Sequence, residues 1–141
     1  MPRRIVIQGI ANMAQRIRIK GSIIPEGIVV GNSTNCVERI DRRYSYEYWL
    51  GLLSSEVVNW YFRKFSTNNN VNAYEVLAIP FAQPKTNLVS AVEANVRKLI
   101  ELANKGMEES SEWKVCMNII NESFFKIYDL QDSDIQLIMS T

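Results

Sequence analysis

The chain contains no histidine in its 141 residues. That absence removes histidine-based nucleophile triads, imidazole proton shuttles and most zinc sites. Cysteine is nearly as scarce. Cys36 and Cys116 are single and far apart, so neither a disulfide framework nor a thiolate metal site is encoded, and both read as reduced cysteines of an intracellular protein. No apolar run approaches the roughly 20 residues of a membrane span. The opening MPRRIVIQGI is interrupted by polar residues too early for a signal peptide. A cytoplasmic protein with no membrane partner is therefore expected. Neither common type of Gly-rich phosphate loop occurs, and there is no internal repeat, low-complexity tract or long Gly/Pro linker. Glu112-Trp113-Lys114 has the E-x-K ending of a nuclease motif, but the nearest upstream aspartate is Asp41. With no catalytic constellation and no metal or cofactor site, the chain by itself is not expected to be an enzyme.

What is present is a globular composition, 47% hydrophobic and 22% charged, in a chain long enough for a real core. The net charge is only +1, but it is unevenly spread. Residues 1–64 hold ten Lys+Arg against five Asp+Glu; residues 65–141 hold six against ten. Eight of the ten basic residues in the first half are arginines, whose planar fork suits phosphate and guanine better than a lysine point charge does. A basic half joined to an acidic half suggests one face made for a polyanion.

The patterning predicts an α+β fold in two parts. Residues 1–83 read as a small β-rich part of about four to five strands with one long helix; residues 84–141 read as a C-terminal part of two to three helices packing on it. RRIVIQGI is the first strand candidate. QRIRIKGSII alternates, with Arg16, Arg18 and Lys20 pointing one way and Ile17 and Ile19 the other, the pattern of a strand with a basic outer face. GIVVGNSTNCVERI is a third candidate, broken by a turn. Residues 45–65 read as one helix capped by Ser45, with Leu50, Leu53, Val57 and Trp60/Tyr61 as its apolar stripe. VNAYEVLAIP reads as a strand stopped by Pro80. Helices then follow from about Pro84 to Asn104 and from Ser110 or Ser111 to about Tyr128. A short last helix has Ser133 and Gln136 at capping-box spacing.

The chemistry that remains is a binding inventory. Asn and Gln make bidentate contacts to adenine and Arg to guanine, while Ser, Thr and backbone N–H groups hold phosphates and set register. Two segments concentrate these types, GNSTN (Gly31–Asn35) and STNNN (Ser66–Asn70). Turn and cap chemistry accounts for either alone, but both lie in the basic half and the second follows Arg63-Lys64 directly. The aromatics Tyr44, Tyr46, Tyr48, Trp49, Trp60, Tyr61, Phe62 and Phe65 crowd the first helix. Trp49, Trp60 and Tyr61 keep helical spacing with leucines and read as core; stacking on unpaired bases is the other use of such rings.

The stretch YEYWLGLLSSEVVNWYFRKFSTNNNVNAYEVLAIPFAQP (Tyr46–Pro84) resembles the C-terminal specificity region of restriction–modification N6-adenine DNA methyltransferases, the family with TaqI-like specificity domains. The family shows a helix reading roughly "yllgiLNSkl.nwyf.k", a polar turn and a strand ending "l..iPi..P". Here Ser54-Ser55 stands where Asn-Ser is common. RIVIQGIANMAQRIRIK is similar to the family's opening strands, and Asn118–Ser140 to its ending. The glycine-bearing S-adenosylmethionine motif and the Asn-Pro-Pro-Tyr/Phe motif of the family's catalytic domain do not occur. The resemblance thus implies a bacterial DNA target-recognition domain, the C-terminal piece of a larger methyltransferase or fused restriction enzyme. Its partners would be double-stranded DNA and the absent catalytic domain of the same parent chain. That domain, not this one, would bind S-adenosylmethionine, flip the adenine and methylate it.

On this reading Arg16, Arg18, Lys20, Arg63 and Lys64 neutralise phosphates. Asn32, Ser33, Asn35, Ser66, Thr67, Asn68, Asn69, Asn70 and Asn72 lie nearest the bases or backbone. The alternative is a protein-interaction module whose acidic helices, with Trp113, Phe124 and Phe125, dock on a partner, or a separate specificity subunit beside catalytic subunits.

Overall fold

A computed structural model describes residues 4–9, 15–28, 34–37, 43–66, 69–71, 75–76 and 78–141. Three short antiparallel strands form a sheet in the order β2-β1-β3: β1 (Arg4–Gln8), β2 (Gly21–Ile24) and β3 (Thr34–Val37). Ile5 and Ile7 of the central strand face Ile23 and Gly21 on one side and Val37 and Asn35 on the other. Ile5, Val6 and Ile7 are all buried, because a central strand covered on both faces needs apolar side chains at consecutive positions.

Among the described residues, five helices of nine residues or more follow: α1 (Tyr46–Ser54), α2 (Glu56–Phe65), α3 (Thr86–Asn104), α4 (Ser111–Ile127) and α5 (Asp132–Ser140). Strands of five, four and four residues stand against helices of nine, ten, nineteen, seventeen and nine. The fold is mostly helical, and the expectation of a β-rich N-terminal part with four to five strands is overturned. Two expected strands account for much of the difference. Residues 15–20 are irregular; Arg18 and Ile19, which alternation assigned to opposite faces, are both buried. Their N–H groups are bonded by a side chain, Oδ1 of Asn59, at 2.8 Å each, rather than by a neighbouring strand. In the expected strand before Pro80, Glu75 and Val76 are helical and Ala78 lies in a turn.

The one long helix is also two. At Ser55 the backbone is extended (φ −72°, ψ 153°). Its hydroxyl donates to the Leu52 carbonyl at 2.7 Å and accepts the Val58 N–H at 3.3 Å. Ser55 thus ends α1 and caps α2. The break is fixed by Asn59, which is fully buried. Besides binding residues 18 and 19, its amide donates to the carbonyls of Leu53 (3.0 Å) and Ser55 (2.9 Å). All four hydrogen-bonding positions of one amide are used to pin an irregular strand lead-in to the helix junction.

One hydrophobic cluster joins the sheet to the helices, with Ile5, Ile7, Tyr48, Leu52, Val58, Phe62, Val92, Val96, Ile120, Phe124 and Ile138 among its members. Helix α1 lies between the sheet and α3. A Cβ on Gly51 would stand 2.6 Å from Val92 Cγ1 and 3.0 Å from Val96 Cγ2, so glycine permits the close crossing of α1 over α3. Ser45 caps α1 by accepting the Tyr48 N–H at 3.1 Å, and its hydroxyl donates to the Glu93 carboxylate of α3. Helix α3 ends with Gly106 at φ 70°, where Met107 N–H returns to Leu102 O at 2.9 Å, a Schellman closure. Asp129 does the same after α4 at φ 54°. The last helix opens at Asp132 with a Gln131/Asp134 capping box, two residues ahead of the expected Ser133/Gln136 pair.

Candidate nucleic-acid interface

Thr34, Asn35, Asn69 and Asn70, the described ends of the two polar segments, lie at the C-terminal end of β1. Gln8 N–H donates to the Lys20 carbonyl at 2.9 Å and Gln8 pairs with Thr34 across the ladder. Val71 N–H donates to the Gly9 carbonyl at 2.8 Å, which carries Asn69 and Asn70 to the same end. Lys20, Gln8, Asn69 and Asn70 are exposed there. Asn35 lies in β3 opposite Ile7, so its backbone belongs to this end too. Asn32, Ser33, Thr67, Asn68 and Asn72 lie outside the described residues.

Beneath this end sits a buried cation. Arg18 is 1% exposed. Its guanidinium donates to Ser66 Oγ at 3.1 Å and lies 5.3 Å from the Phe62 ring centroid. Burial lowers the affinity of Arg18 for its proton, and the Glu75 charge opposes that shift. Ser66 is itself buried; it receives Arg18 and ends α2 through its N–H to the Phe62 carbonyl at 2.9 Å. The structure therefore brings Arg18 and Ser66 together as the floor of the site, not as its surface. Arg4 is likewise fully buried at the start of β1, its guanidinium donating to the Ile28 carbonyl.

Arg16 and Arg63 form a second layer along α2. Arg16 Nε lies 2.7 Å from Glu56 Oε2, and its Nη2 donates to the Ile138 carbonyl at the end of α5 at 2.9 Å. Arg63 donates to the Arg16 carbonyl. Burial and the neighbouring Arg16 lower its pKa, and Glu56 opposes them. Arg16 is partly exposed, whereas Nη2 of Arg63 is buried, and Glu56 is the carboxylate that acts on both. Lys64, by contrast, is exposed, with its ammonium 5.2 Å from the Trp60 ring. Of the basic half, Lys20, Arg43 and Lys64 are the exposed residues among those described.

The aromatics divide in the same way. Tyr44, Tyr48, Trp49, Phe81 and Phe124 make a continuous ring cluster, with Trp49 to Phe81 and Tyr44 to Tyr48 both at 5.2 Å. Tyr44, which opens the helical region, is thus held in packing. Phe65 is the exception: it is 64% exposed at the last residue of α2, its ring 4.6 Å from that of Tyr61. An apolar cleft lies beside Tyr61, walled by Val57, Trp60, Pro80, Leu130 and Leu137 with Asp134 at its rim.

Sequence reasoning missed Asn59. The available signal was a polar residue inside the apolar run Val57-Val58-Asn59-Trp60, where only a satisfied amide is tolerated. Among the described residues no group of three or more Cys, Asp or Glu is placed to hold a metal, and no helix is long and apolar enough to cross a membrane.

No family model matches the chain, and no curated protein matches it. Among solved structures it is similar to the type IIL restriction-modification enzyme MmeI, solved in complex with DNA, with a TM-score of 0.78 at 16% identity. The match covers 99% of this chain and 21% of that one. The chain thus spans about a fifth of the length of the enzyme it matches, and along nearly its whole length it has the fold of a segment of a restriction-modification enzyme.

Proposed function

We propose that this chain is a DNA target-recognition domain of a restriction-modification enzyme. The observation that carries the reading is the likeness in fold, over 99% of the chain, to part of an enzyme whose structure contains DNA. The finer reading rests on the resemblance of Tyr46–Pro84 to adenine methyltransferases. The parent is then a cytoplasmic N6-adenine DNA methyltransferase with a TaqI-like specificity region. Its catalytic domain, in the rest of the parent chain, binds S-adenosylmethionine and modifies the flipped base.

In this proposal the DNA face is the end of β1 together with the last turn of α2. Lys20 and Lys64 neutralise phosphates, and Arg16 and Arg63 add to the field from their half-buried positions. Asn69 and Asn70, with Asn32, Ser33, Asn35, Thr67, Asn68 and Asn72, supply base and backbone contacts. Arg18 and Ser66, both buried, hold the floor beneath Asn69 and Asn70. One feature favours a second reading, a protein-docking module: Val115 and Ile119 are 56% and 37% exposed one turn apart on α4.

Titration against a short random-sequence duplex at several salt concentrations tests the proposal. A DNA face gives an affinity that falls linearly in log–log form, with a slope of about −0.9 per phosphate contacted. Absence of binding at low salt, for this chain and for the full-length parent alike, would refute it. Charge reversal at Lys20 and Lys64 abolishes the interaction on the first reading and leaves a docked protein partner undisturbed on the second.

A further inference from the structure

Phe65 is the most exposed of the large hydrophobic residues described. A phenylalanine left largely in water forgoes roughly 1.5–3 kcal/mol of burial, and here 64% of the residue is exposed. The ring nevertheless packs on a neighbour. Tyr61, one turn back, backs it at 4.6 Å with an interplanar angle of 42°. The next residue, Ser66, is buried and tied to both Phe62 and Arg18, so the helix end that presents Phe65 cannot fray without breaking the floor of the site. An exposed ring backed by a second ring suits a stacking platform.

The charges around it select the occupant. Lys64 precedes Phe65 and is exposed, and Arg63 stands one residue further back. Asn69 and Asn70, exposed, follow within one short segment. An apolar ring flanked by a cation and amides fits a flat, π-faced ligand joined to an anion, which describes a nucleotide better than an apolar peptide.

We propose that Phe65, backed by Tyr61, is a base-stacking element: it packs on a DNA base that is unstacked at the interface, while Lys64 holds the adjoining phosphate. This rests on the DNA-recognition reading above and adds to it a residue and a mode of contact. Stacking on an exposed ring is indifferent to base identity, so Phe65 contributes affinity and local distortion of the duplex, and the polar segments contribute sequence preference.

The test uses a short duplex carrying one bulged 2-aminopurine, with the wild-type chain, Phe65→Leu and Phe65→Trp. Leucine keeps the apolar bulk and removes the π face; tryptophan restores it. Wild type and Phe65→Trp quench the 2-aminopurine fluorescence on binding. Phe65→Leu binds about tenfold more weakly without quenching, at an unchanged salt slope, because no charge has been removed. All three retain the same Tm, since the side chain is exposed. Equal affinity and equal quenching by Phe65→Leu would overturn the stacking role while leaving DNA recognition standing. If neither the wild-type chain nor the full-length parent shows salt-dependent binding to bulged or unbulged duplex, the DNA reading fails, and the stacking proposal with it.

Discussion

At the junction of α1 and α2, the amide of Asn59 is enclosed and makes four hydrogen bonds. At the end of β1, Asn69 and Asn70 carry the same side chain at the surface. The cations repeat the contrast. Arg18 lies under the site against Phe62 and Ser66, whereas Lys20 and Lys64 lie over it in solvent. In each pair one member builds the scaffold and the other is exposed at the surface, and residue type alone does not say which. Enclosure does: a buried polar group lies out of a ligand's reach, and most such groups are hydrogen-bonded within the protein.

The largest way to break the comparison is at its inner side. Asn59→Ala strands the N–H groups of Arg18 and Ile19 and two carbonyls in the core, and a loss of about 3 kcal/mol or more in denaturant unfolding is expected. Asn69→Ala and Asn70→Ala should each stay within about 0.5 kcal/mol of wild type. Next in size is Gly51→Ala. Its new methyl would meet Val92 at 2.6 Å, and overpacking costs about 1–3 kcal/mol, offset by about 1 kcal/mol of helix propensity. A net loss is expected by thermal unfolding.

Alkaline pH gives a smaller effect of definite sign. Burial pushes the Tyr128 phenol up to about 12 from its ordinary 10.0, and its hydroxyl donates to the Pro80 carbonyl at 2.6 Å. Because the folded value lies above the unfolded one, this contribution is complete below pH 10 and disappears as the pH rises towards 12. Tyr48, also raised by burial, acts in the same direction. Tyr128→Phe should flatten part of that alkaline decline in a pH series of Tm values. The smallest change is Asp129→Gly, which relieves a left-handed backbone at φ 54° and should raise stability by up to about 1 kcal/mol.

Much of the helical part was legible, for a physical reason. Val92, Val96 and Leu99 recur at helical spacing and are buried, Ser45 and Ser110 cap where short hydroxyl residues precede apolar runs, and Gly106 stops α3. These signals are local, within one or two turns. The strands were over-read because alternation is also local but pairing is not. Arg16 to Lys20 alternate in sequence, yet a side chain forty residues away, Asn59, takes the N–H groups of Arg18 and Ile19. The break at Ser55 was hidden for the same reason: serine is compatible with a helix interior, and only the claims of Asn59 and Leu52 on its neighbourhood turn it into a cap. At the candidate site, the two polar segments were visible in sequence. The placing of Asn69 and Asn70 at the end of β1 depends on the Gly9–Val71 bond, and the withdrawal of Arg18 into the core on Phe62 and Ser66; neither carries a local signature.

The most direct test of the division between scaffold and surface is the salt dependence of duplex binding by Lys64→Gln and Arg18→Met. Each removes one positive charge. If Lys64 faces the phosphates and Arg18 lies beneath them, Lys64→Gln lowers the log–log slope by about one and Arg18→Met leaves it at the wild-type value, whatever either does to Tm. A slope reduced by Arg18→Met as much as by Lys64→Gln would mean that Arg18 reaches the DNA, and the division would be wrong.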